Sequence, residues 1–229
     1  MKISGLMKLT LLDFPGRVAC TVFLAGCNFR CPFCHNGSLV RGGDIEISRE
    51  ELTAFLKKRQ GILEGVCVTG GEPLMSPDVG ELIKEIKSLG YLVKLDTNGS
   101  YPERLSLLLS QGLIDYVAMD IKNSPDRSAT ACGVKTDIEN IKQSVEIIKS
   151  SGVAHEFRTT VVKGIHTQND IAKCAEWVGE GENYFLQSYK VTDDIIAPDG
   201  LSAFTPDELK EILKEAQKFN TKTSLRGVD

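Results

Sequence analysis

Three cysteines lie close together in the chain at a spacing that suits metal binding. Cys27, Cys31 and Cys34 form the pattern Cys-x3-Cys-x2-Cys. Thiolates ligate soft metals and iron–sulfur clusters, and a cubane cluster with four irons normally takes four cysteine ligands. Three cysteines leave one iron with an open coordination position, where substrate or cosubstrate attaches in metalloenzymes. The alternative is a structural zinc ion completed by Cys20 or His35, although zinc sites usually pair two two-ligand groups and the sequence offers no second group.

A second group with ligand-binding chemistry is Gly70-Gly71-Glu72-Pro73. Two glycines allow the backbone to approach a ligand closely, and Pro73 stiffens the exit from the turn. Glu72 supplies an acceptor for a cationic amino group. The alternative is a tight turn between a strand and a helix with no ligand.

Two carboxylates end neighbouring predicted strands. Asp96, followed by Thr97, ends one strand, and Asp120 lies near the end of the next. Two such carboxylates repel each other unless a cation or an ammonium group lies between them, so a bound cation is predicted. In the alternative, Asp96 caps a helix or anchors the turn at Asn98-Gly99.

Alternating apolar runs and helical patterns position these residues. We predict strands at 18–26, 65–71, 91–99, 115–122, 154–162 and 183–191, and helices at 48–60, 76–90, 101–112, 136–152, 167–180 and 205–219. Six strand-then-helix units predict a parallel α/β sheet, either doubly wound or a partial barrel. The predicted organisation is one domain over 1–229, with a lead-in at 1–17, the barrel at 18–220 and a tail at 221–229. The motifs all fall at the carboxyl ends of the predicted strands, which is the edge of such a sheet where ligands bind.

Composition excludes several classes of protein. Hydrophobic residues make up 41% and charged residues 25% of the chain, which is ordinary globular usage. The formal net charge of −4 predicts no affinity for nucleic acid or an anionic membrane. The seven cysteines and the absence of a signal-peptide pattern predict a cytoplasmic protein. Cys20, Cys67, Cys132 and Cys174 are predicted to be buried packing residues, and His155 and His166 surface or packing residues.

The cysteine motif, Phe33 before its last cysteine and the downstream Gly70–Pro73 turn resemble the radical S-adenosylmethionine (SAM) superfamily. The stretch from Asp13-Phe14-Pro15-Gly16-Arg17 through Phe23, Gly26, the three cysteines and Asn36 resembles the signature of glycyl-radical-enzyme activating enzymes. Within those, the whole chain is similar to the activating proteins of anaerobic ribonucleoside-triphosphate reductase, including Leu225-Arg226-Gly227 near its end.

The resemblance implies a partial (β/α)6 TIM-type barrel that holds one [4Fe-4S] cluster on Cys27, Cys31 and Cys34. SAM would be cleaved reductively to a 5′-deoxyadenosyl radical, which removes a hydrogen atom from a glycine of a partner enzyme, and no catalytic side chain is required. The implied SAM-binding residues are Phe33, His35, Asn36, Gly70, Gly71, Glu72, Pro73, Asp96, Asp120, Lys122, Arg158 and Lys190. Related activators carry a histidine near the end of the sixth strand, where this chain has Gln187-Ser188-Tyr189-Lys190, so Lys190 or Gln187 is the expected substitute.

The resemblance also implies a monovalent cation beside the SAM carboxylate, held by Asp96, Thr97, the Ala118 carbonyl and Asp120. The expected partners are a glycyl radical enzyme, with anaerobic ribonucleotide reductase favoured, and reduced flavodoxin or ferredoxin as electron donor. Two alternatives remain. One is a radical SAM enzyme for a small molecule, similar to 7-carboxy-7-deazaguanine synthase, and the other is a zinc-binding interaction module without enzymatic activity.

Overall fold

The computed structural model describes residues 1–43 and 46–227. Contacts divide the chain into two compact units, each of which is built from three separate segments of the sequence. The first unit comprises Met1–Asn28, Ser38–Ala118 and Asn140–Ala154, and the second comprises Phe29–Gly37, Met119–Glu139 and His155–Asp229. The single domain expected from the sequence stays a prediction.

Four strands of the first unit are hydrogen-bonded in chain order: β1 (Ile3–Thr10), β2 (Ala19–Leu24), β3 (Gly65–Gly70) and β4 (Leu92–Thr97). β1 is antiparallel to β2, whereas β2, β3 and β4 are parallel to one another. The apolar residues of β2 and β3 other than Phe23, for example Val22 and Val68, are buried. Runs that are apolar on both faces are typical of parallel strands covered by helices.

Helices and a short turn connect these strands, and the three longest of these helices lie where the sequence pattern predicts helices. They are α1 (Gly37–Val40), α2 (Arg49–Arg59), a 3-10 turn at Pro73–Met75, α3 (Val79–Ser88) and α4 (Pro102–Ser110). The start of α2 is a capping box, in which the Ser48 hydroxyl accepts from the Glu51 backbone N–H at 3.1 Å and the Glu51 carboxylate accepts from the Ser48 N–H. This arrangement satisfies two N–H groups that have no partner within the helix.

The remaining elements are β5 (Tyr116–Asp120), α5 (Ser128–Cys132), α6 (Ile138–Ser150), β6 (Ala154–Val161), α7 (Gln168–Val178), β7 (Tyr184–Ser188), α8 (Pro206–Ala216) and β8 (Thr223–Arg226). In the second unit β6, β7 and β8 are parallel neighbours. The six predicted strands correspond to β2 through β7. β1 and β8, which the sequence pattern does not predict, lie in the segments expected as lead-in and tail.

The Asp13–Arg17 segment lies at the amino ends of the strands. The Phe14 ring is buried and lies against Gly65, where an added Cβ would be 2.8 Å from it. Arg17 pairs at 2.9 Å with Glu64, the residue before β3. This signature segment therefore closes the edge of the sheet away from the carboxyl ends that carry the other motifs. Within the described residues, no helix is long and apolar enough to span a bilayer.

Candidate functional site

The Gly70–Pro73 turn packs directly against the backbone that leads into the cysteine motif. The N–H of Gly71 donates to the Leu24 carbonyl and the N–H of Glu72 donates to the Gly26 carbonyl, both at 2.8 Å. A Cβ added at Gly71 would lie 1.9 Å from the Gly26 oxygen. Glycine is therefore required here for contact between two backbone segments, in addition to the ligand contact that the sequence predicts.

Glu72 is buried and organises the end of β4. Its carboxylate accepts hydrogen bonds from the Leu74 N–H at 3.0 Å, the Thr97 hydroxyl at 2.8 Å and the Asn98 N–H at 2.7 Å. The side chain that was expected to meet an amino group of SAM is thus directed into the protein. Its contact with a ligand, and that of Thr97 with a cation, stay predictions.

Asn98 is a site residue that sequence reasoning did not assign. Its side-chain amide donates to the Cys27 sulfur at 3.9 Å and to the Asn28 side-chain oxygen at 2.9 Å. Its own oxygen accepts from the Ser100 N–H at 3.0 Å, which holds the amide in place. Glu72, Asn98 and Cys27 therefore form a continuous hydrogen-bonded path from the Gly70–Pro73 turn to the first cysteine.

Asp96 has a cationic partner within the chain. The ammonium group of Lys94, which is 1% exposed, pairs with the Asp96 carboxylate, and the Thr69 hydroxyl donates to the same carboxylate at 3.1 Å. Lys94 and Asp96 are two residues apart in β4 and therefore share a face, a signal in the sequence that could have indicated this pair. Within residues 1–43 and 46–227, no group of three or more His, Cys, Asp or Glu side chains could hold a metal ion in this arrangement. The monovalent cation and the ligation by Cys27, Cys31 and Cys34 stay predictions.

The second and third cysteines of the motif lie in the second unit. Cys31 is buried and Cys34 is half-buried, and the Cys34 N–H donates to the Cys31 carbonyl at 3.1 Å. A hydrogen bond that the Cys31 thiol donates to Cys132, together with burial, raises the pKa of the Cys31 thiol. Burial also raises the pKa of Cys34. The prediction that Cys132 is a packing residue is incomplete, because the residue is fully buried and also contacts Cys31.

Asp120, Lys122 and Arg158 are three predicted site residues that the structure brings together. Lys122 Nζ donates to one Asp120 oxygen at 3.0 Å and Arg158 Nε donates to the other at 2.9 Å. Burial disfavours the Asp120 carboxylate, but the charges of Arg158 and Lys122 outweigh it and hold the pKa of Asp120 well below its usual range. The Lys122 charge also favours the thiolate forms of Cys31 and Cys34. An ammonium group therefore acts electrostatically on two cysteines of the motif.

Two aromatic contacts line the same part of the second unit. Phe33 is buried, with its ring 6.0 Å from the ring of His166. The His35 ring lies 5.6 Å from that of Tyr189, and neither His35 Nδ1 nor Tyr189 Oη has a hydrogen-bond partner although both atoms are buried. Asn36 and Lys190 are exposed and Gln187 is half-buried. Tyr189 is thus the residue after β7 that offers an unused polar atom, in place of the Lys190 or Gln187 expected from the sequence.

The chain belongs to the radical SAM superfamily, because the model of that family matches residues 21–178. A protein of Methanocaldococcus jannaschii, named provisionally as a glycyl-radical enzyme activating enzyme, is 31% identical over 240 residues, which cover 99% of this chain and 96% of the relative. A 7-carboxy-7-deazaguanine synthase of Methanospirillum hungatei is 40% identical over 86 residues, which cover 36% of this chain and 35% of that enzyme.

A solved structure with the same fold is SuiB of Streptococcus suis bound to S-adenosylmethionine. The TM-score is 0.67 at 12% identity, and the match covers 90% of this chain and 52% of SuiB. This chain therefore spans about half the length of SuiB, and at that identity the likeness concerns the fold alone. The predicted α/β fold class of radical SAM enzymes is confirmed.

Membership of the superfamily implies a [4Fe-4S] cluster and SAM as cofactors. The side chains present in this structure fit both the cluster and SAM. Cys27, Cys31 and Cys34 are not joined in disulfides, and thiolates are the usual ligands of iron–sulfur clusters. His35 Nδ1 and Tyr189 Oη are buried polar atoms that a polar ligand would satisfy.

Proposed function

We propose that this protein is a glycyl-radical-enzyme activating enzyme. The observation that carries the proposal is the match of 99% of the chain to a relative that bears this name. The relative is of nearly the same length, since the match also covers 96% of it. The favoured partner is anaerobic ribonucleoside-triphosphate reductase, because the sequence resembles its activating proteins from the Asp13–Arg17 segment to Leu225-Arg226-Gly227.

In the proposed mechanism Cys27, Cys31 and Cys34 hold the cluster. When bound, the cluster supplies the electron that cleaves SAM reductively and so allows abstraction of a hydrogen atom from a glycine of the partner. The chain's own residues bind and orient the substrate. Lys122 and Arg158 present cationic groups fixed by Asp120, and such groups suit the carboxylate and hydroxyl oxygens of SAM.

Other residues have supporting roles in this proposal. Asn98 donates to the Cys27 sulfur, and hydrogen bonds to cluster sulfurs tune reduction potential. Phe33 is buried beside the cysteines, where an apolar ring excludes water from a reactive site. His35 and Tyr189 offer polar atoms to the ligand. The Asp96 carboxylate is paired with Lys94, so a monovalent cation would have to share that carboxylate with an ammonium group.

The test is to mix anaerobically reconstituted protein with SAM, reduced flavodoxin and purified anaerobic ribonucleotide reductase. The expected result is a glycine-centred doublet in the electron paramagnetic resonance spectrum of the reductase. The matched control is the Cys31→Ala variant, which should give no doublet. If the wild-type protein cleaves SAM but produces no doublet on this or other glycyl radical enzymes, the activase assignment is wrong.

A second candidate function is radical SAM chemistry on a small molecule. The observation that favours it is the local 40% identity to a 7-carboxy-7-deazaguanine synthase, which is higher than the identity to the activating-enzyme relative. That match, however, covers 36% of the chain, so most of the sequence contributes nothing to it. Production of 7-carboxy-7-deazaguanine by the reconstituted protein, in the absence of any partner protein, would favour this candidate.

A further inference from the structure

β8 carries an arginine that the proposed mechanism does not use. The two terminal nitrogens of Arg226 donate to the two carboxylate oxygens of Glu156 at 2.8 and 2.9 Å. Its guanidinium carbon also lies 3.7 Å from the centre of the Phe185 ring. Paired and stacked in this way, the guanidinium is fixed in position, which a lysine at this site could not reproduce.

Glu156 connects this arginine to Arg158. Glu156 and Arg158 are both on β6, two positions apart, and therefore on the same face of the strand. Glu156 is 2% exposed, and one of its oxygens lies 4.0 Å from a terminal nitrogen of Arg158. Glu156 is thus a buried carboxylate between two guanidinium groups, and Arg158 lies between the carboxylates of Glu156 and Asp120.

Arg226 and Arg158 both lie beside Glu156, and Arg158 also pairs with Asp120. While Arg226 engages both oxygens of Glu156, the Nε of Arg158 donates to Asp120 at 2.9 Å. Without Arg226, both carboxylate oxygens of Glu156 would lose a charged donor while the side chain stays buried, which is unfavourable. Arg158 is the nearby cation that could relieve it, and it would do so by turning away from Asp120.

We propose that Arg226 and Glu156 are positioning residues for the SAM-binding group. By neutralising Glu156, Arg226 keeps Arg158 on Asp120, and Asp120 in turn keeps Lys122 beside the cysteine motif. The inference rests on the proposed function, because it assumes that Arg158, Asp120 and Lys122 bind SAM. It assigns a role to Leu225-Arg226-Gly227, a motif at the far end of the chain from the cysteines.

The test compares Arg226→Met with the double variant Arg226→Met/Glu156→Gln. The first readout is the Nε–H resonance of Arg158 in nitrogen-15 NMR spectra of anaerobically purified protein, assigned by its loss in Arg158→Lys. The second is the dissociation constant for SAM of the cluster-loaded protein, measured by calorimetry. The matched control is Arg49→Met, which removes an arginine from a glutamate pair at 2.9 Å on the exposed side of α2.

Arg226→Met should shift the Arg158 resonance and weaken SAM binding about tenfold, the effect usual for residues that support a ligand-binding group. The double variant should restore both values, because glutamine at position 156 carries no buried charge to attract Arg158. An unshifted resonance in Arg226→Met, or a double variant no better than the single one, would overturn the inference. If the resonance behaves as expected but wild-type loaded protein does not bind SAM, the positioning role stands and the proposed function fails.

Discussion

The carboxylate of Glu72 accepts the backbone N–H of Asn98 at 2.7 Å, which joins the Gly70–Pro73 turn to the residue that contacts Cys27. The same carboxylate accepts two further hydrogen bonds, from Leu74 and Thr97. Glu72 is 2% exposed, so no water competes for these bonds. An acidic residue in this turn therefore has a structural role that is independent of any ligand.

Replacing Glu72 with glutamine tests that role. The amide keeps one acceptor oxygen but places an NH2 group against N–H or O–H donors, so at least one buried bond is lost. The free energy of unfolding should fall by about 2–3 kcal/mol, as expected for hydrogen bonds to a buried charged group. The measurement is urea denaturation of cluster-free protein, with Glu81→Gln, on the exposed face of α3, as the control. A loss in Glu72→Gln no larger than in the control would contradict this role.

Gly71 is expected to tolerate no side chain. An added Cβ would lie 1.9 Å from the Gly26 oxygen, which is backbone and cannot move aside. Gly71→Ala should therefore destabilise the protein by at least about 2 kcal/mol, by separating the turn from the segment before Cys27. Gly80→Ala is the matched control. Gly80 lies in α3, where alanine favours the helix, and its added Cβ would meet only the side chain of Leu108, in α4, at 3.4 Å. Thermal unfolding of the two variants should differ clearly, and equal midpoints would show that the contact is unimportant.

His166 predicts a pH dependence of stability. Its Nδ1 accepts the Val162 N–H at 3.0 Å and its Nε2 lies 2.8 Å from the Lys122 carbonyl, an arrangement that the neutral ring satisfies. Burial lowers the pKa of His166 from its ordinary value of 6.5. Between the lowered pKa and 6.5 the unfolded chain binds more protons, so stability falls as the pH is lowered through this window.

Urea unfolding at intervals between pH 8 and pH 5 measures this effect. The wild-type free energy of unfolding should decrease below about pH 6.5, and His166→Gln should lack that part of the decrease because glutamine does not titrate. The variant will be less stable at pH 8, so the comparison concerns the slope with pH and not the absolute value. Parallel slopes for the two proteins below pH 6.5 would show that His166 is protonated in the folded state as easily as in the unfolded chain.

Sequence pattern alone was sufficient for the parallel strands and the residues at their ends. The strands from 18–26 to 183–191 are apolar runs bounded by turn residues, and Asp120 and Lys122 lie near the end of one of them. Arg158 lies within the strand at 154–162, and the family resemblance is what indicates it as a site residue. β1 escaped prediction because its burial does not alternate, with Met7 and Leu9 exposed. β8 has four residues, too few for a periodic signal.

Two of the contacts that were missed depend on the pairing of distant segments. Glu156 and Arg226 are 70 residues apart in sequence and meet across the sheet, and Cys31 meets Cys132 from another part of the chain. Lys94 was overlooked because a lysine in an apolar strand has no visible partner until its neighbour on the same face, Asp96, is considered. Strand register fixes the contact between Glu156 and Arg226 and tertiary packing fixes that between Cys31 and Cys132, and neither can be read from one sequence.

Asp120→Ala should weaken SAM binding more than it lowers cluster content. The aspartate accepts hydrogen bonds from Lys122 at 3.0 Å and Arg158 at 2.9 Å. Without it, the two cationic groups proposed to bind SAM are no longer held in position, while the cysteines are unchanged. A decrease in SAM affinity of about tenfold or more, at unchanged iron per chain, is the expected outcome of calorimetry and iron analysis. Equal affinity in the variant and the wild-type protein would remove Asp120 from the site.

Cys31→Ala and Cys132→Ala separate the role of a cluster ligand from that of its neighbour. Cys31 belongs to the motif, whereas Cys132 is fully buried, lies at the end of α5 and contacts the Cys31 thiol. Because the methyl group of alanine cannot coordinate iron, Cys31→Ala should lose the brown cluster and SAM cleavage. Its circular dichroism spectrum should still show an intact fold. Cys132→Ala should retain about four irons per chain after anaerobic reconstitution. If instead Cys132→Ala loses the cluster and Cys31→Ala keeps it, the thiol at 132 is the ligand and the motif has been assigned incorrectly.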